Sequence, residues 1–230
     1  MPYANKVICE AESGKQIIRG LKGVEHGKLH IGVTYSLGPL LLAALRIFTK
    51  VYPKIQVSIT FATSEELLKQ LENNELDFVL SFHPEGMLEP VDAIPLFSSR
   101  LCFVVHESHP LSNLSAITLK RLSQTPLILP PHGFATRKKI DMLCRQNHLS
   151  LNVGIEINDV HTILHALSDG NWGTILTQTA VQDEARLVQI PLLCADKLTS
   201  QGFLFWPNGT YRKKSALAFA EILRKIPNEL

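Results

Sequence analysis

A chain of 230 residues with 45% hydrophobic and 19% charged positions carries enough apolar material for one large globular domain or two small ones. Its formal net charge of +2 is too small to mark a nucleic-acid-binding surface. Cys9, Cys102, Cys144 and Cys194 show no C-x-x-C spacing, which suggests neither a zinc site nor a disulfide framework. They read as reduced thiols of a cytoplasmic protein. No apolar run reaches ~18 residues and no signal-peptide pattern opens the chain, so no membrane association is expected. The basic runs Arg137-Lys138-Lys139 and Arg212-Lys213-Lys214 are read first as solvated helix starts or loops.

Residues 3 to 22 read as a helix, because apolar side chains from Tyr3 to Leu21 recur at three- and four-residue steps. Its stripe is narrow, like a coiled-coil seam, and suits a partner helix or a linker better than a core. Leu29, Ile31 and Val33 then alternate with Lys28, His30 and Gly32 as a strand. The turn Thr34-Tyr35-Ser36 follows, and Gly38 and Pro39 open a helix that Tyr52-Pro53 closes. A hydroxyl-rich turn delivered to a helix N-terminus is a natural pocket for a small anion.

Residues 55 to 61 alternate as a second strand. Thr63-Ser-Glu-Glu66 is a capping-box pattern that starts a short helix through Leu67, Leu68 and Leu71. Residues 76 to 82 are a mostly apolar third strand, so the chain begins as a parallel α/β sheet. Residues 83 to 99, with Pro84, Gly86, Pro90 and Pro95, read as a loop. Further strands are expected at residues 101–105, 126–129, 153–157, 174–177, 187–190 and 201–206. Helices are expected at 118–123, 136–147, 159–168 and 215–225.

The ordered series of motifs resembles the effector-binding domain of LysR-type transcriptional regulators. The matching stretches are Gly27-Lys-Leu-His-Ile-Gly-Val-Thr-Tyr-Ser36, Phe48-x-x-x-Tyr52-Pro53, Leu71 to Phe78 (an L-x-x-G-x-L-D pattern with Asn74 in place of Gly), Ile94-Pro-Leu96, His109-Pro-Leu111 and Gly170-x-x-Gly173. Phe134-Ala-Thr-Arg137 with Ile140-Asp141 is similar to the branch that includes the cyanate-operon regulator. The resemblance implies an α/β fold like type 2 periplasmic binding proteins: two Rossmann-like subdomains, two crossing strands, and an effector in the cleft between them. The crossings are expected near Leu101 to Val105 and Phe203 to Trp206. Subdomain I is then 27–102 with 205–230, subdomain II is 103–204, and 1–26 is the remnant of a linker helix. The family's winged helix-turn-helix is expected to be missing, which favours Met1 as a truncation point over a native start, the two readings staying open, and leaves operator DNA to that head. The resemblance also implies a homodimer or tetramer, with residues 40–50 of one copy against 136–147 of the next.

Thr34, Tyr35 and Ser36 on the first turn, and Thr63 and Ser64 on the second, fall at the carboxyl ends of neighbouring parallel strands, beside one crevice. Taken singly, each hydroxyl is as readily a helix cap. The resemblance places Phe134, Ala135 and Thr136 opposite them. Arg137 supplies the charge for a carboxylate or else forms a structural ion pair, and His161 begins a helix near the cleft. Ser36 also raises a hydrolase reading, but Thr34 stands where a nucleophile elbow needs glycine and no partner is assignable. His161 and His165 are four apart, a spacing able to chelate zinc. Without H-E-x-x-H or a third ligand, they read as ordinary histidines. Trp172 either floors the cleft or packs on the sheet.

The reading is therefore an effector-sensing domain. A small anion or carboxylate binds between the subdomains and acts through the oligomer, with no catalytic residue, metal or cofactor. The alternatives are a solute-binding protein of the same fold and, further off, a hydrolase.

Overall fold

The computed structural model describes residues 26–82, 91–181, 184–193, 198–209 and 211–226; the helix expected at residues 3 to 22 lies outside them. Strand β1 (Gly27–Val33) lies between β2 (Ile55–Phe61) and β3 (Phe78–Phe82), parallel to both. Helices α1 (Gly38–Val51) and α2 (Ser64–Glu72) make the two crossovers, α1 preceded by a 3-10 turn at Tyr35–Leu37.

The period of two along β3 sorts its side chains between two cores. Phe78, Leu80 and Phe82 face α1 and α6 (Lys214–Lys225), while Val79 faces Leu67, Leu68 and Leu71 of α2. Phe219 of α6 sits 5.0 Å from Phe48 and 5.6 Å from Phe78, ring centre to ring centre. Each such fully buried side chain contributes about 1.5–3 kcal/mol. The L-x-x-G-x-L-D stretch explains itself here. Asn74 has φ 58°, the left-handed conformation that asparagine tolerates better than any bulky residue. Asp77 accepts the N–H of His30 at 2.8 Å and the Lys213 ammonium at 2.8 Å, tying β3 to β1 and to the start of α6.

Strand β4 (Val91–His106) serves both halves of the molecule. Residues 91–100 pair antiparallel with β10 (Thr199–Pro207), whose other edge pairs with β3. Leu101 to His106 instead join the second sheet, between β8 (Gly173–Thr177) and β9 (Leu187–Leu193). That sheet continues from β8 through β6 (Leu127–Leu129) to β7 (Val153–Glu156), and the short β5 (Ile117–Thr118) pairs with the end of β9. Helices α3 (Leu119–Ser123) and α4 (Ala135–Gln146) cover one face, and α5 (Val160–Ala166) the other.

Two sequence expectations change. Residues 91–99 are strand, not loop: among the described residues this part of β4 has only β10 beside it in the first sheet, and an edge strand accommodates Pro95. Phe203 to Trp206 do not cross between subdomains. Phe203 pairs with Ser81 and Trp206 with Asp92, so all four lie within the first sheet. The strands change sheets together, where Thr199 pairs with Arg100 and the Leu101 N–H donates to the Leu198 carbonyl at 2.8 Å. Paired strands must leave a sheet at the same level, which an unpaired reading of each run misses. Trp172 packs on the second sheet, its ring where a Cβ on Gly154 would stand.

Candidate functional site

The carboxyl ends of β1, β2 and β3 and the start of α4 enclose one hollow. It is lined by Thr34, Tyr35, Ser36, Ala62, Thr63, Ser64, Phe82, Phe134, Ala135 and Thr136. Three hydroxyl-bearing or small-residue turns thus converge from both subdomains, each at a helix start, where unpaired N–H groups and the dipole favour negative charge.

The three starts differ. At α2 the capping box is complete. The Thr63 hydroxyl donates to Glu66 Oε2 at 2.7 Å and accepts the Glu66 N–H at 3.4 Å, while Glu66 accepts the Thr63 N–H at 3.0 Å. The Thr63 hydroxyl, then its N–H, hold the Glu66 carboxyl below its usual pKa. Ser64 accepts the Ser81 hydroxyl at 2.7 Å beneath it. At the 3-10 turn the capping residue Thr34 makes no side-chain cap, and its buried hydroxyl has no partner among the described residues. A buried hydroxyl in that state costs about 1–3 kcal/mol. At α4 the N-cap is Phe134, which cannot cap, and the first turn holds no acid.

Arg137 does not line the hollow. It is 6% exposed and fully engaged inside subdomain II. Its Nε lies 3.0 Å from Asp141, and its Nη1 donates to Glu156 at 2.7 Å and to the Pro130 carbonyl at 2.9 Å. Of the two readings open for this residue, the structural ion pair is the one formed. His161 also stands apart from the lining, exposed, with its Nε2 3.2 Å from that of His165. Ala62 and Phe82 enter the lining without having been singled out, since neither carries a polar group. The position of Phe82 at the carboxyl end of a parallel strand was the available signal. The lining holds no histidine or carboxylate, so Ser36 has no general base in the cavity wall.

The walls are drawn together. Lys138 of α4 pairs with Glu65 of α2 across the mouth. The Tyr35 ring lies 6.0 Å from Phe134 and 5.7 Å from Phe61, and Lys139 donates to the Thr199 carbonyl at 2.8 Å where the strands cross. With its open mouth the hollow measures about 340 Å3. Among the described residues no three or more His, Cys, Asp or Glu side chains gather as a metal site, and no helix is long and apolar enough to cross a membrane.

Two α/β subdomains, paired crossing strands and a cleft at the strand ends define the type 2 periplasmic-binding-protein-like class. The profile of the family described as "LysR substrate binding domain" matches residues 22–226, and the chain belongs to that family. It is 22% identical over 238 residues to a probable RuBisCO transcriptional regulator of Phaeodactylum tricornutum, covering 100% of this chain and 78% of that protein. The regulatory domain of Synechocystis PCC6803 CcmR in complex with 2-PG superposes with a TM-score of 0.77 at 19% identity, over 89% of this chain and 99% of that one. The effector-binding domain of QuiR in complex with shikimate gives 0.69 at 21% identity, over 86% and 96%. The relatives are transcriptional regulators and not enzymes, and regulators of this family bind small-molecule effectors and oligomerise.

Proposed function

We propose that this domain senses a small anionic metabolite, a carboxylate or phosphate ester, held between the subdomains by neutral donors. The observation that carries the reading is the meeting of two uncapped helix starts, at Tyr35 and Ala135, across one cavity whose lining includes Thr34, a residue whose buried hydroxyl has no partner among the described residues. Thr34, Ser36 and Ser64 offer hydroxyls, Ala135 and Thr136 backbone N–H groups, and Tyr35 and Phe134 an apolar cover. Thr63 holds its turn in shape. Arg137 and His161 take no part. The CcmR and QuiR domains, captured with 2-PG and with shikimate, support a ligand of this size.

The binding energy acts on orientation. A ligand that contacts both walls has different affinities for two arrangements of the subdomains, and that difference is what shifts their population. Subdomain I, built on β1 to β3 with residues 91–100 and 199–207, and subdomain II, built on residues 101–106 with β6 to β9, then move about the strands crossing near residues 100 and 199. A cytoplasmic homodimer or tetramer converts the motion into a change at operator DNA, through a DNA-binding head joined ahead of this domain. The reading includes no catalysis.

A thermal-shift screen against inorganic phosphate, 2-PG, shikimate and neutral sugars tests it. An anion at ~100 times its dissociation constant stabilises the fold by about 2.7 kcal/mol, and the neutral sugars give nothing. A sugar-only response would overturn the anionic reading.

A further inference from the structure

The outer face of α5 carries a feature that the cleft does not use. His161 and His165 are both exposed on successive turns of Val160–Ala166. Their Nε2 atoms lie 3.2 Å apart, with the rings at 87°. Two imidazole nitrogens each ~2.1 Å from one tetrahedral metal stand about 3.4 Å apart, so the two Nε2 atoms already stand near the spacing of a chelate. Helix geometry sets this pre-organisation, since i and i+4 side chains share a face. The Asp159 carboxylate, fixed at the N-cap by the Thr162 N–H at 2.8 Å, lies close enough to interact electrostatically with His161, which adds negative charge beside an incoming cation.

We propose that His161 and His165 form a two-histidine chelate for a divalent first-row transition cation on the surface of α5, with water completing its coordination. Imidazole nitrogen selects this class of metal over magnesium or calcium, and affinity rises from cobalt through nickel to copper and falls again at zinc. The site is separate from the effector cleft, but not remote from it. Val160 and Leu164, on the inner face of the same helix, belong to the apolar cluster against which Tyr35 packs, so a metal stapling α5 stiffens a support of the cleft wall.

The 3.2 Å separation also fits a single N–H···N hydrogen bond between two neutral rings, and the experiment separates the two. Ni2+ alone is titrated calorimetrically into the untagged protein and into the His161→Asn and His165→Asn variants, with melting temperatures taken without metal to establish folding. Saturable binding in the parent that is lost in both folded variants supports the chelate. An isotherm that either variant leaves unchanged, or no saturable binding in the parent, overturns it and leaves the pair a hydrogen bond.

Discussion

Helices α2 and α4 begin on opposite walls of the same cleft and solve the same problem differently. Each starts with N–H groups that no helical carbonyl can reach. At α2 the chain answers for itself: Thr63 and Glu66 satisfy each other, and acids fill the first turn. At α4 the N-cap is an aromatic residue, the first turn is basic, and the carboxylates of Asp141 and Glu156 bind Arg137 instead of the helix start. One start is closed by its own sequence and the other is left for something else to close. The difference separates residues that hold the cleft's shape from residues able to hold a ligand, although all line the same cleft.

The comparison breaks first at Arg137. If its charge belongs to the fold, Arg137→Ala leaves Asp141 with His132 but without its guanidinium, and the Pro130 carbonyl without that donor. The loss is about 2–4 kcal/mol, below the upper range for buried pairs because Glu156 remains half exposed. Chemical denaturation measures it, and a loss within experimental error would return Arg137 to the list of candidate ligand contacts. The far end of α2 gives the next effect. Asn74→Val forces a β-branched residue into the left-handed region at a cost of about 1–2 kcal/mol, whereas Asn74→Gly is close to neutral.

Thr63→Ala removes the capping box and about 1 kcal/mol with it. It carries a pH signature. The Glu66 carboxyl is depressed in the folded state, so its contribution is present above the carboxyl's unfolded pKa and fades as the pH falls through the folded one. The variant therefore loses less stability on acidification than the parent, and parallel acid titrations of the two would contradict the assignment. The smallest expected effect is at the mouth. Lys138→Gln and Glu65→Gln, each removing one side of a solvated pair, change stability by no more than about 0.5 kcal/mol. The thiols of Cys102 and Cys144 offer a control on the whole comparison. Burial pushes Cys102 up to about 12 and raises Cys144 as well. Both resist alkylation at neutral pH in the folded protein, and rapid labelling of either would mean that the second subdomain opens.

Much of this was legible because it is local. The alternation in residues 29–33, the Thr63-to-Glu66 spacing and the placement of hydroxyl turns after strands are short-range signals, and they marked the turns on one side of the hollow; the family resemblance supplied those facing them. What stayed hidden depends on pairing at a distance. Pro95 looked like a loop residue because nothing in its neighbourhood says that residues 91–100 lie at the edge of a sheet. The crossing at Thr199 is visible only once Arg100 is known to lie beside it. Asp141 stands four residues from Arg137 and was a visible partner. Glu156 comes from another strand, and its claim on the same guanidinium cannot be read along the chain.

The most direct test pits the two kinds of wall residue against each other. Thermal unfolding is followed with and without saturating anion, taken from the phosphate, 2-PG and shikimate panel, in the parent, in Thr34→Val with Ser36→Ala, and in Thr63→Ala. The account predicts that the first variant keeps its own stability but loses the ligand's increment. Thr63→Ala should melt lower yet gain nearly the full increment. The reverse pattern, with binding lost at Thr63 and retained without the Thr34 and Ser36 hydroxyls, would contradict the assignment of the closed and open helix starts.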